Sequence, residues 1–397
     1  MSTSGREIAI VGAGIGGLSA AIALTMSGHK VSLYERANEL AEVGAGIQMS
    51  PNATRIFDRL GLLAALGDFA VRPLTGDLRR WEDWSLLARQ PLGDAVADQF
   101  GAPYFHLHRA DLLRVLANNL DTECLHTGYH CVGVEHRNGR VDLSFANGER
   151  VSHDVVIGAD GIHSVIRAQL FGPAEPRFSG GAAWRGVVPT SRIRHLNIPV
   201  ASTAVLGPDS HLVHYYLRRG ELLNWVGISP TESWTDESWT AQGTLADALD
   251  DFGDWAPTVR SIIEAVGDAP IYRWALYDRD PLPRWSDGRV TLLGDACHPM
   301  LPFMAQGAAQ SIEDAAVLTR CLTEITDIEL ALATYERQRR ERTALVQTKA
   351  RENGQMFHLP DGADQLARDA ALANPKQATT HRNAWLFDYD VDTLVLS

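Results

Sequence analysis

Three glycines near the N-terminus have the spacing of a dinucleotide-binding turn. Gly12, Gly14 and Gly17 follow an apolar stretch, residues 8–11, and precede a second apolar run, residues 18–26, which predicts the order strand, turn, helix. In such a unit the first glycine makes the tight turn, the second lets the backbone approach a pyrophosphate, and the third lets helix and strand pack closely. Unpaired N–H groups at the helix N-terminus would then hold the phosphates.

An acidic residue completes this strand–helix–strand pattern. Glu35 follows a second predicted strand, residues 30–34, and lies 23 residues after Gly12. A carboxylate at that distance is placed to bind the ribose hydroxyls of an adenosine. The pattern predicts a dinucleotide site but does not distinguish NAD from FAD, and the alternative is a tight turn with a surface glutamate.

Two later segments place an aspartate next to glycine where a predicted strand ends. Asp160 follows the strand-like residues 154–157, and Asp295 follows the strand-like residues 289–293. A carboxylate at the C-terminal end of a strand can reach a ribose or ribityl hydroxyl. The helical-looking segment that opens with Gly307 could present its first N–H groups to an electron-rich ring edge.

Together these motifs resemble those of the class A flavoprotein aromatic hydroxylases, the group that includes salicylate hydroxylase, 3-hydroxybenzoate 6-hydroxylase and 6-hydroxynicotinate 3-monooxygenase. The resemblance extends over residues 6 to about 350. It implies an FAD-dependent monooxygenase that hydroxylates a small hydroxylated aromatic carboxylate, of the salicylate or 3-hydroxybenzoate type, with NAD(P)H and O2 through a flavin C4a-hydroperoxide. A hydroxypyridine carboxylate of the 6-hydroxynicotinate type is the alternative substrate. A flavoprotein oxidase or dehydrogenase is the alternative class.

The resemblance also implies which residues hold the cofactor. Non-covalently bound FAD is expected to lie against Gly12, Gly14, Gly17, Glu35, Arg36, Gly46, Arg109, Asp160, Asp295, Gly307 and Ala308. A second G-x-G-x-x-G motif is missing from the sequence. This agrees with a family in which NADH or NADPH visits transiently, without a Rossmann domain of its own.

The chemistry of phenols directs attention to a histidine on a predicted strand. A phenolate attacks an electrophilic oxygen far better than a phenol does, so the site needs a group that takes the phenol proton. Period-two alternation puts His211, Val213 and Tyr215 on one face and His214 on the other. Relatives carry a His and a Tyr four apart on the matching strand, so His211 and Tyr215 are the catalytic candidates. Judged alone, a strand histidine is more often a core or surface residue, and Tyr215 could equally serve in packing.

The substrate pocket is predicted to include Gln48, Pro299 and Phe303. Relatives have His or Gln at the position of Gln48, and in them the proline matching Pro299 lies near the flavin ring. At Pro302 and Phe303 this sequence is apolar where several relatives have Gln or His, so one proton-handling contact of those relatives is missing. His298 could be catalytic or could cap a helix or loop.

These elements predict an α/β fold: a Rossmann-type FAD-binding domain with an inserted antiparallel β-sheet substrate domain and C-terminal helices. The separated motifs imply that the FAD-binding domain is discontinuous, with the pieces 1–73, 101–175 and 274–350. The substrate-binding sheet is assigned 74–100 and 176–273, where strand-like alternation prevails, and a C-terminal segment is assigned 351–397. The arginine-rich stretch 330–347 is predicted to be a helix with a solvated charged face.

Composition and charge exclude several classes of partner. Lys and Arg number 36 against 49 Asp and Glu, and the net charge is −13 without any basic run, which argues against nucleic acid. The uncharged stretch 8–28 is broken by four glycines in the six residues 12–17, so neither a membrane span nor a targeting segment is predicted. The four cysteines form no C-x-x-C pair and fit a reducing cytoplasm.

A metal site has little support in the sequence. His106 and His108 share one face of a predicted strand, but no carboxylate or thiol follows at a recognisable ligand spacing. The partners expected are therefore an aromatic carboxylate and O2, with no metal, and the chain is expected to be a cytoplasmic monomer or homodimer.

Overall fold

The computed structural model describes residues 5–40, 46–232, 241–374 and 383–396. Five stretches of the predicted domains lie outside the described residues, namely 1–4, 41–45, 233–240, 375–382 and 397. The helices are α1 Ile15–Met26, α2 Pro51–Arg59, α3 Leu63–Gly67, α4 Gly93–Phe100, α5 Arg109–Asn118, α6 Val165–Phe171, α7 Thr190–Ile193, α8 Leu245–Phe252, α9 Pro257–Glu264, α10 Gly307–Glu324, α11 Ile328–Phe357 and α12 Ala363–Leu372, followed by a last turn at Ala384–Phe387.

The strands number from β1 to β19 in chain order. They are β1 Glu7–Val11, β2 Lys30–Glu35, β3 Gly46–Met49, β4 Thr75–Arg80, β5 Leu86–Pro91, β6 Phe105–His108, β7 Leu125–Thr127, β8 Cys131–Arg137, β9 Arg140–Phe145, β10 Arg150–His153, β11 Val155–Gly158, β12 Arg177–Pro189, β13 Ala201–Gly207, β14 Ser210–Leu217, β15 Leu222–Pro230, β16 Gln242–Gly243, β17 Ile271–Asp278, β18 Ser286–Asp287 and β19 Val290–Leu292.

A six-stranded sheet carries the glycine turn. Its strand order is β18-β19-β11-β1-β2-β7, and all neighbours are parallel except β18 and β19. The central strands β1 and β11 are buried apolar runs, as parallel strands covered by helices must be, and α1 packs beside α10. Because parallel strands end at one edge of a sheet, the segments that follow β1, β2, β11 and β19 meet there.

An eight-stranded sheet has the order β16-β17-β12-β15-β14-β13-β4-β5. Its neighbours are antiparallel, except that β4 and β13 run parallel. The predicted antiparallel sheet is thus present, with this one parallel pair as its exception. A parallel pair needs a crossover connection, and the long chain between β4 and β13, which passes through the six-stranded sheet, supplies it. The division into domains stays a prediction.

The two faces of β14 have different surroundings. Leu212 and Tyr216 point into an apolar core with Trp184 and Trp225, beneath α8 and α9. The alternate residues of the strand point the other way, into a cavity between the two sheets. The period-two alternation of the sequence thus decides which side chains can meet a ligand.

The long helix α11 differs from its prediction in the environment of its charges. The stretch 330–347 is helical as expected, but its charged face is not solvated throughout: Arg339 is fully buried and Arg342 is nearly so. Both guanidinium groups pair with acidic residues of α10, because the two helices pack together. Among the described helices, none combines the length and the apolar character that crossing a membrane requires.

Candidate functional site

The glycine turn leaves an open space in front of the N-terminus of α1. Gly12 has φ +106°, and a Cβ there would overlap the carbonyl of Ala159. A Cβ at Gly17 would overlap the carbonyl of Gly12, whereas a Cβ at Gly14 would meet nothing within 4 Å. The protein's own packing therefore demands glycine at the first and third positions. At the second position, the space that a Cβ would enter is free for a ligand.

A cavity of about 380 Å³ lies against this turn, with Gly14, Ile15 and Gly16 in its wall. Helix α1 begins there with neither a side-chain cap nor an acidic residue in its first turn. Its first N–H groups and the positive end of its dipole thus remain available for an anion. This is the arrangement that a pyrophosphate requires.

Glu35 is oriented by the backbone around the turn. Its Oε2 accepts a hydrogen bond from the N–H of Ala13 at 2.9 Å, and its Oε1 accepts one from the N–H of Ala37, also at 2.9 Å. The carboxylate is therefore held beside the glycine turn, where the ribose hydroxyls of an adenosine would lie. Arg36 is exposed next to it and does not line the cavity.

Asp295 lines the cavity, and its side chain is exposed to that space. Desolvation by the surrounding protein raises the pKa of its carboxyl, and the neighbouring His298 and Arg109 offset this rise only in part. Arg109, at the start of α5, lines the same cavity. Helix α10 also points its uncapped N-terminus at this cavity, and the position for a Cβ on Gly307 lies 3.9 Å from Asp295 Oδ1.

Asp160 lies near the cavity but faces away from it. Its Oδ1 accepts a hydrogen bond from the hydroxyl of Ser164 at 2.5 Å, and its Oδ2 accepts from the N–H groups of Val165 and Ile166. The carboxylate thus holds the N-terminus of α6, and its backbone neighbour Gly161 lines the cavity instead. A direct contact of the Asp160 side chain with FAD stays a prediction.

A buried ion network stands behind the Gly294–Asp295 turn. His298 Nε2 lies 2.6 Å from Asp314 Oδ2, which also accepts a hydrogen bond from the N–H of Gly294. Arg339 donates to Asp314 at 2.7 Å and to Glu313 at 2.5 Å, and all three of these side chains are fully buried. His298 does not line the cavity. Its bond to Asp314 connects the turn to α10, and Asp314 in turn binds Arg339 of α11. The sequence alone gave no signal for these partners.

The same network contains a group with metal-ligand chemistry. Cys297, His298 and Asp314 bring one ligand atom each within 4.8 Å of one another. However, Asp314 already accepts from Arg339 and Gly294, and burial raises the pKa of the Cys297 thiol well above 9. A protonated thiol beside a paired carboxylate favours a hydrogen-bonded network over a metal centre.

The strand β14 brings the two catalytic candidates together on the opposite wall. His211 and Tyr215 line the cavity with Val213 between them, as predicted, and His214 stacks on Trp84 on the far face. The ring of Tyr215 packs on the His106 ring, 4.5 Å between centroids, and covers Gly46, whose Cβ position it would overlap. Burial raises the pKa of Tyr215 to about 12.

His211 is a buried imidazole held at one nitrogen. Its Nδ1 lies 2.6 Å from Nε2 of His358, and Phe303 and Phe357 pack edge-on against its ring. Burial, with the proximity of the second imidazole, His358, lowers the pKa of His211 well below 6.5. His211 is therefore neutral at pH 7, with a lone pair on one ring nitrogen and a proton on the other.

A second cavity of about 460 Å³ adjoins the first one. The two share Gln48, His211, Val213, Pro302, Ala305 and Gln306. The second cavity is lined by no residue of the glycine turn or of the Gly294–Asp295 turn. The shared residues thus form the boundary between the first cavity, which contains the glycine turn, and the second cavity, which does not.

The three residues predicted for the substrate pocket differ in placement. Gln48 lies between both cavities, and its Oε1 accepts hydrogen bonds from the hydroxyls of Tyr104, at 2.7 Å, and Ser202, at 3.1 Å. Phe303 lines the second cavity. Pro299 lines neither cavity, and its carbonyl accepts a hydrogen bond from Gln347 Nε2. Pro302 lines both cavities instead.

Comparison with known proteins identifies the family. The model of the FAD binding domain family matches residues 6–350. The chain belongs to this family. Among curated relatives, 3-amino-4-hydroxybenzoate 2-monooxygenase PtmB3 of Streptomyces platensis is 39% identical and covers 98% of both chains. 6-Hydroxynicotinate 3-monooxygenase of Pseudomonas fluorescens is 39% identical, covering 89% of this chain and 92% of its own. 3-Hydroxybenzoate 6-hydroxylase 1 of Aquipseudomonas alcaligenes is 38% identical, covering 92% and 93%.

Solved structures agree with these relatives. HpxO of Klebsiella pneumoniae, complexed with FAD and uric acid, superposes with a TM-score of 0.87 at 27% identity over 96% of both chains. A salicylate hydroxylase substrate complex gives 0.84 at 28% identity, over 98% of this chain and 97% of its own. The protein is an FAD-dependent aromatic-ring monooxygenase, so the predictions of family, fold class and enzyme class are confirmed.

The residues of the first cavity fit FAD, the cofactor of the family. The open space at Gly14 and the uncapped start of α1 suit the pyrophosphate, and Glu35 beside them suits the adenosine ribose. Asp295 and the uncapped start of α10 face the same cavity further along its wall, where the ribityl chain and the ring would follow. NADH or NADPH is the co-substrate typical of the family.

Proposed function

We propose that this monooxygenase hydroxylates a small hydroxylated aromatic carboxylate of the salicylate or 3-hydroxybenzoate type, with NAD(P)H and O2. The observation that carries the proposal is His211: a neutral, buried imidazole in the wall common to the FAD cavity and the second cavity. A phenol ring attacks activated oxygen far better once its hydroxyl proton has been removed. A proton acceptor at the boundary of the two cavities meets this need.

The second cavity is the proposed substrate site. It adjoins the FAD cavity through Pro302 and Gln306, so a ring placed there would lie next to the cofactor. Phe303, Phe357 and Val213 provide apolar walls that exclude water from the reacting atoms. FAD, once reduced by NAD(P)H, supplies the activated oxygen, and the residues of this chain bind and orient the ring.

Polar residues of the second cavity account for the substituents. The Oε1 of Gln48 already accepts two hydrogen bonds, which leaves its Nε2 to donate to a ring substituent. Lys349 and Glu352 both line this cavity and pair at 2.7 Å, and in our proposal Lys349 turns from Glu352 to the substrate carboxylate. His211 takes the phenol proton at Nε2, the nitrogen that does not face His358.

A hydroxypyridine carboxylate is the second candidate substrate, supported by the 6-hydroxynicotinate monooxygenase that is 39% identical to this chain. A 3-amino-4-hydroxybenzoate, named for another relative, belongs to the first class because it carries both a ring hydroxyl and a carboxylate. These compounds differ in ring nitrogen and amino group. In our proposal the donors Gln48 and Lys349 of the second cavity bind the substituents of either the benzoate or the pyridine compounds.

The test is product formation across a panel of ring compounds. Salicylate, 3-hydroxybenzoate, 3-amino-4-hydroxybenzoate and 6-hydroxynicotinate are each incubated with the FAD-loaded enzyme, O2, and NADH or NADPH, with benzoate as the control that lacks a hydroxyl. We expect at least one hydroxylated acid to give a product that contains one oxygen atom from O2 per nicotinamide oxidised, and benzoate to give none. A product formed equally well without O2 would instead identify a dehydrogenase.

A further inference from the structure

The partner of His211 lies outside the segment that the family model matches. His358 follows the last residue of α11, whereas the match ends at residue 350. Its backbone is held on both sides: its N–H donates to the carbonyl of Gly354 at 3.0 Å, and its carbonyl accepts from the N–H of Asp209 at 3.2 Å. The imidazole of His358 is thus fixed against His211, with the two ring centroids 4.9 Å apart.

The two rings differ in how far they are from solvent. The His211 residue is 3% exposed, and edge-on aromatic rings enclose it. His358 is only partly buried, at the point where α11 ends. A charge on His211 would be costly in these surroundings, whereas a proton passed to His358 would come nearer to water.

The atoms that face each other permit such a transfer. A neutral imidazole has one N–H and one nitrogen lone pair, so the 2.6 Å contact between His211 Nδ1 and His358 Nε2 can be a hydrogen bond from the first to the second. In that tautomer His211 Nε2 carries the lone pair. Among the described residues no hydrogen-bond partner is recorded for this nitrogen, and the ring lines both cavities.

We propose that His358 relays the substrate's phenol proton from His211 to solvent. This inference rests on the proposed function of the site. The phenol O–H bond breaks as His211 Nε2 gains the proton, His211 Nδ1 gives its own proton to His358 Nε2, and His358 Nδ1 releases a proton to water. No net charge stays on the buried ring. The same chain run backwards returns a proton to a product phenolate. His358 acts through His211 and is therefore a positioning residue.

Charged groups from neighbouring elements bear on this pair. Asp209, in the turn between β13 and β14, raises the pKa of His358, but burial is the larger effect and lowers that pKa to about 4. From α12, Arg368 donates to the carbonyl of Phe357 and pairs with Asp369 at 2.8 Å. Both imidazoles are therefore neutral at pH 7, the state in which a relay can begin.

The test compares His358→Gln with the unaltered enzyme. Glutamine at 358 retains a polar group at the helix end but cannot take a proton on one atom and release it from another. The readout is deprotonation of the bound phenol, followed by its ultraviolet absorbance after rapid mixing of the oxidised, FAD-loaded enzyme with the phenolic acid that the panel identifies. His214→Gln, on the same strand but facing Trp84, is the matched control.

We expect His358→Gln to slow deprotonation of the bound phenol about 10-fold or more at pH 7, with FAD content and substrate affinity within a factor of three. The loss should shrink as the pH approaches the pKa of the free phenol. Added imidazole should partly restore the rate in His358→Ala, and His214→Gln should match the unaltered enzyme.

Three outcomes would overturn the relay: an unchanged rate of deprotonation in His358→Gln, a rise in KM alone, or a loss that neither pH nor imidazole restores. The proposed function has a separate point of failure. If the unaltered enzyme hydroxylates none of the phenolic acids, the substrate assignment is wrong. If it hydroxylates one and His358→Gln deprotonates it normally, only the relay is wrong.

Discussion

Replacing Arg339 by methionine tests whether the buried ion network supports the fold. Burial raises the pKa of both Glu313 and Asp314, but the charges of Arg339 and its neighbours outweigh burial and leave both pKa values lowered. Removing one partner from a buried ion pair costs about 3–5 kcal/mol, since it leaves an unpaired charge. Arg342 still bonds Glu313 at 2.7 Å, so we expect the lower end, about 3 kcal/mol.

The measurement is the midpoint of thermal unfolding, Tm, with FAD at saturating concentration. At about 2.1 cal/mol/K per residue, the 397 residues have an unfolding entropy of about 0.8 kcal/mol/K, so 3 kcal/mol lowers Tm by about 4 °C. The control is Arg340→Met on the next position of α11. Arg340 is 41% exposed and lies 3.3 Å from Glu336, and such a surface pair contributes about 0–1 kcal/mol.

The loss of Tm expected for Arg339→Met depends on pH. In the unaltered protein, the lowered pKa values of Glu313 and Asp314 stabilise the fold above their ordinary pKa values of 4.5 and 3.8, and this stabilisation is lost as the pH falls through the folded values. Without Arg339 part of that stabilisation is lost, while Arg342 still pairs with Glu313 and His298 still faces Asp314. The difference in Tm between the two proteins should therefore be larger at pH 7 than at pH 4. An equal difference at both values, or one no larger than that of Arg340→Met, would refute this account of the network.

Three further predictions concern the cofactor and the substrate. Gly14→Val should yield a folded protein without yellow FAD, since the added side chain enters the space left for the pyrophosphate; a folded variant with full FAD content would contradict the assignment. Asp295→Ala should weaken FAD binding by about 1.5–3 kcal/mol for each charge-assisted hydrogen bond lost, measured by equilibrium dialysis, and an unchanged affinity would make Asp295 merely structural. His211→Ala should slow hydroxylation about 10²-fold at normal FAD content, with less product per NADH and partial recovery at higher pH. A product-to-NADH ratio equal to that of the unaltered enzyme at both pH values would remove His211 from catalysis.

The features that sequence reasoning predicts well are those that depend on local pattern. The glycine spacing predicts the turn after β1, and the rule that parallel strands end at one edge brings Glu35 and Asp295 to the same side of the sheet. The alternation along β14 correctly separates His211 from His214. In each of these cases a short stretch of chain determines the geometry.

The features that the sequence does not predict depend on partners far along the chain. Arg339 looks solvated in a charged helix, and only the packing of α11 on α10 shows that carboxylates of α10 surround it. His358 reaches His211 across 147 positions. The position of Asp160 at the end of a strand predicts a contact with the cofactor. In the structure its carboxylate instead binds N–H groups at the start of α6. Such pairings have no periodic signal.

The order of strands in the nucleotide sheet also constrains how the protein is made. Ile8 pairs with Val155, and Val156 pairs with Val290, so the sheet cannot close until residues near 290 have been synthesised. At about 5–20 residues per second, the ribosome needs roughly 13–50 s to travel from the end of β2 to the end of β19. Until β11 has been made, β1 has an unpaired apolar edge next to the glycine turn, and from then until β19 arrives the unpaired edge is that of β11. The residues that later hold the cofactor are thus translated early. An apolar strand edge of their sheet stays open to aggregation until the last parallel strand, β19, arrives.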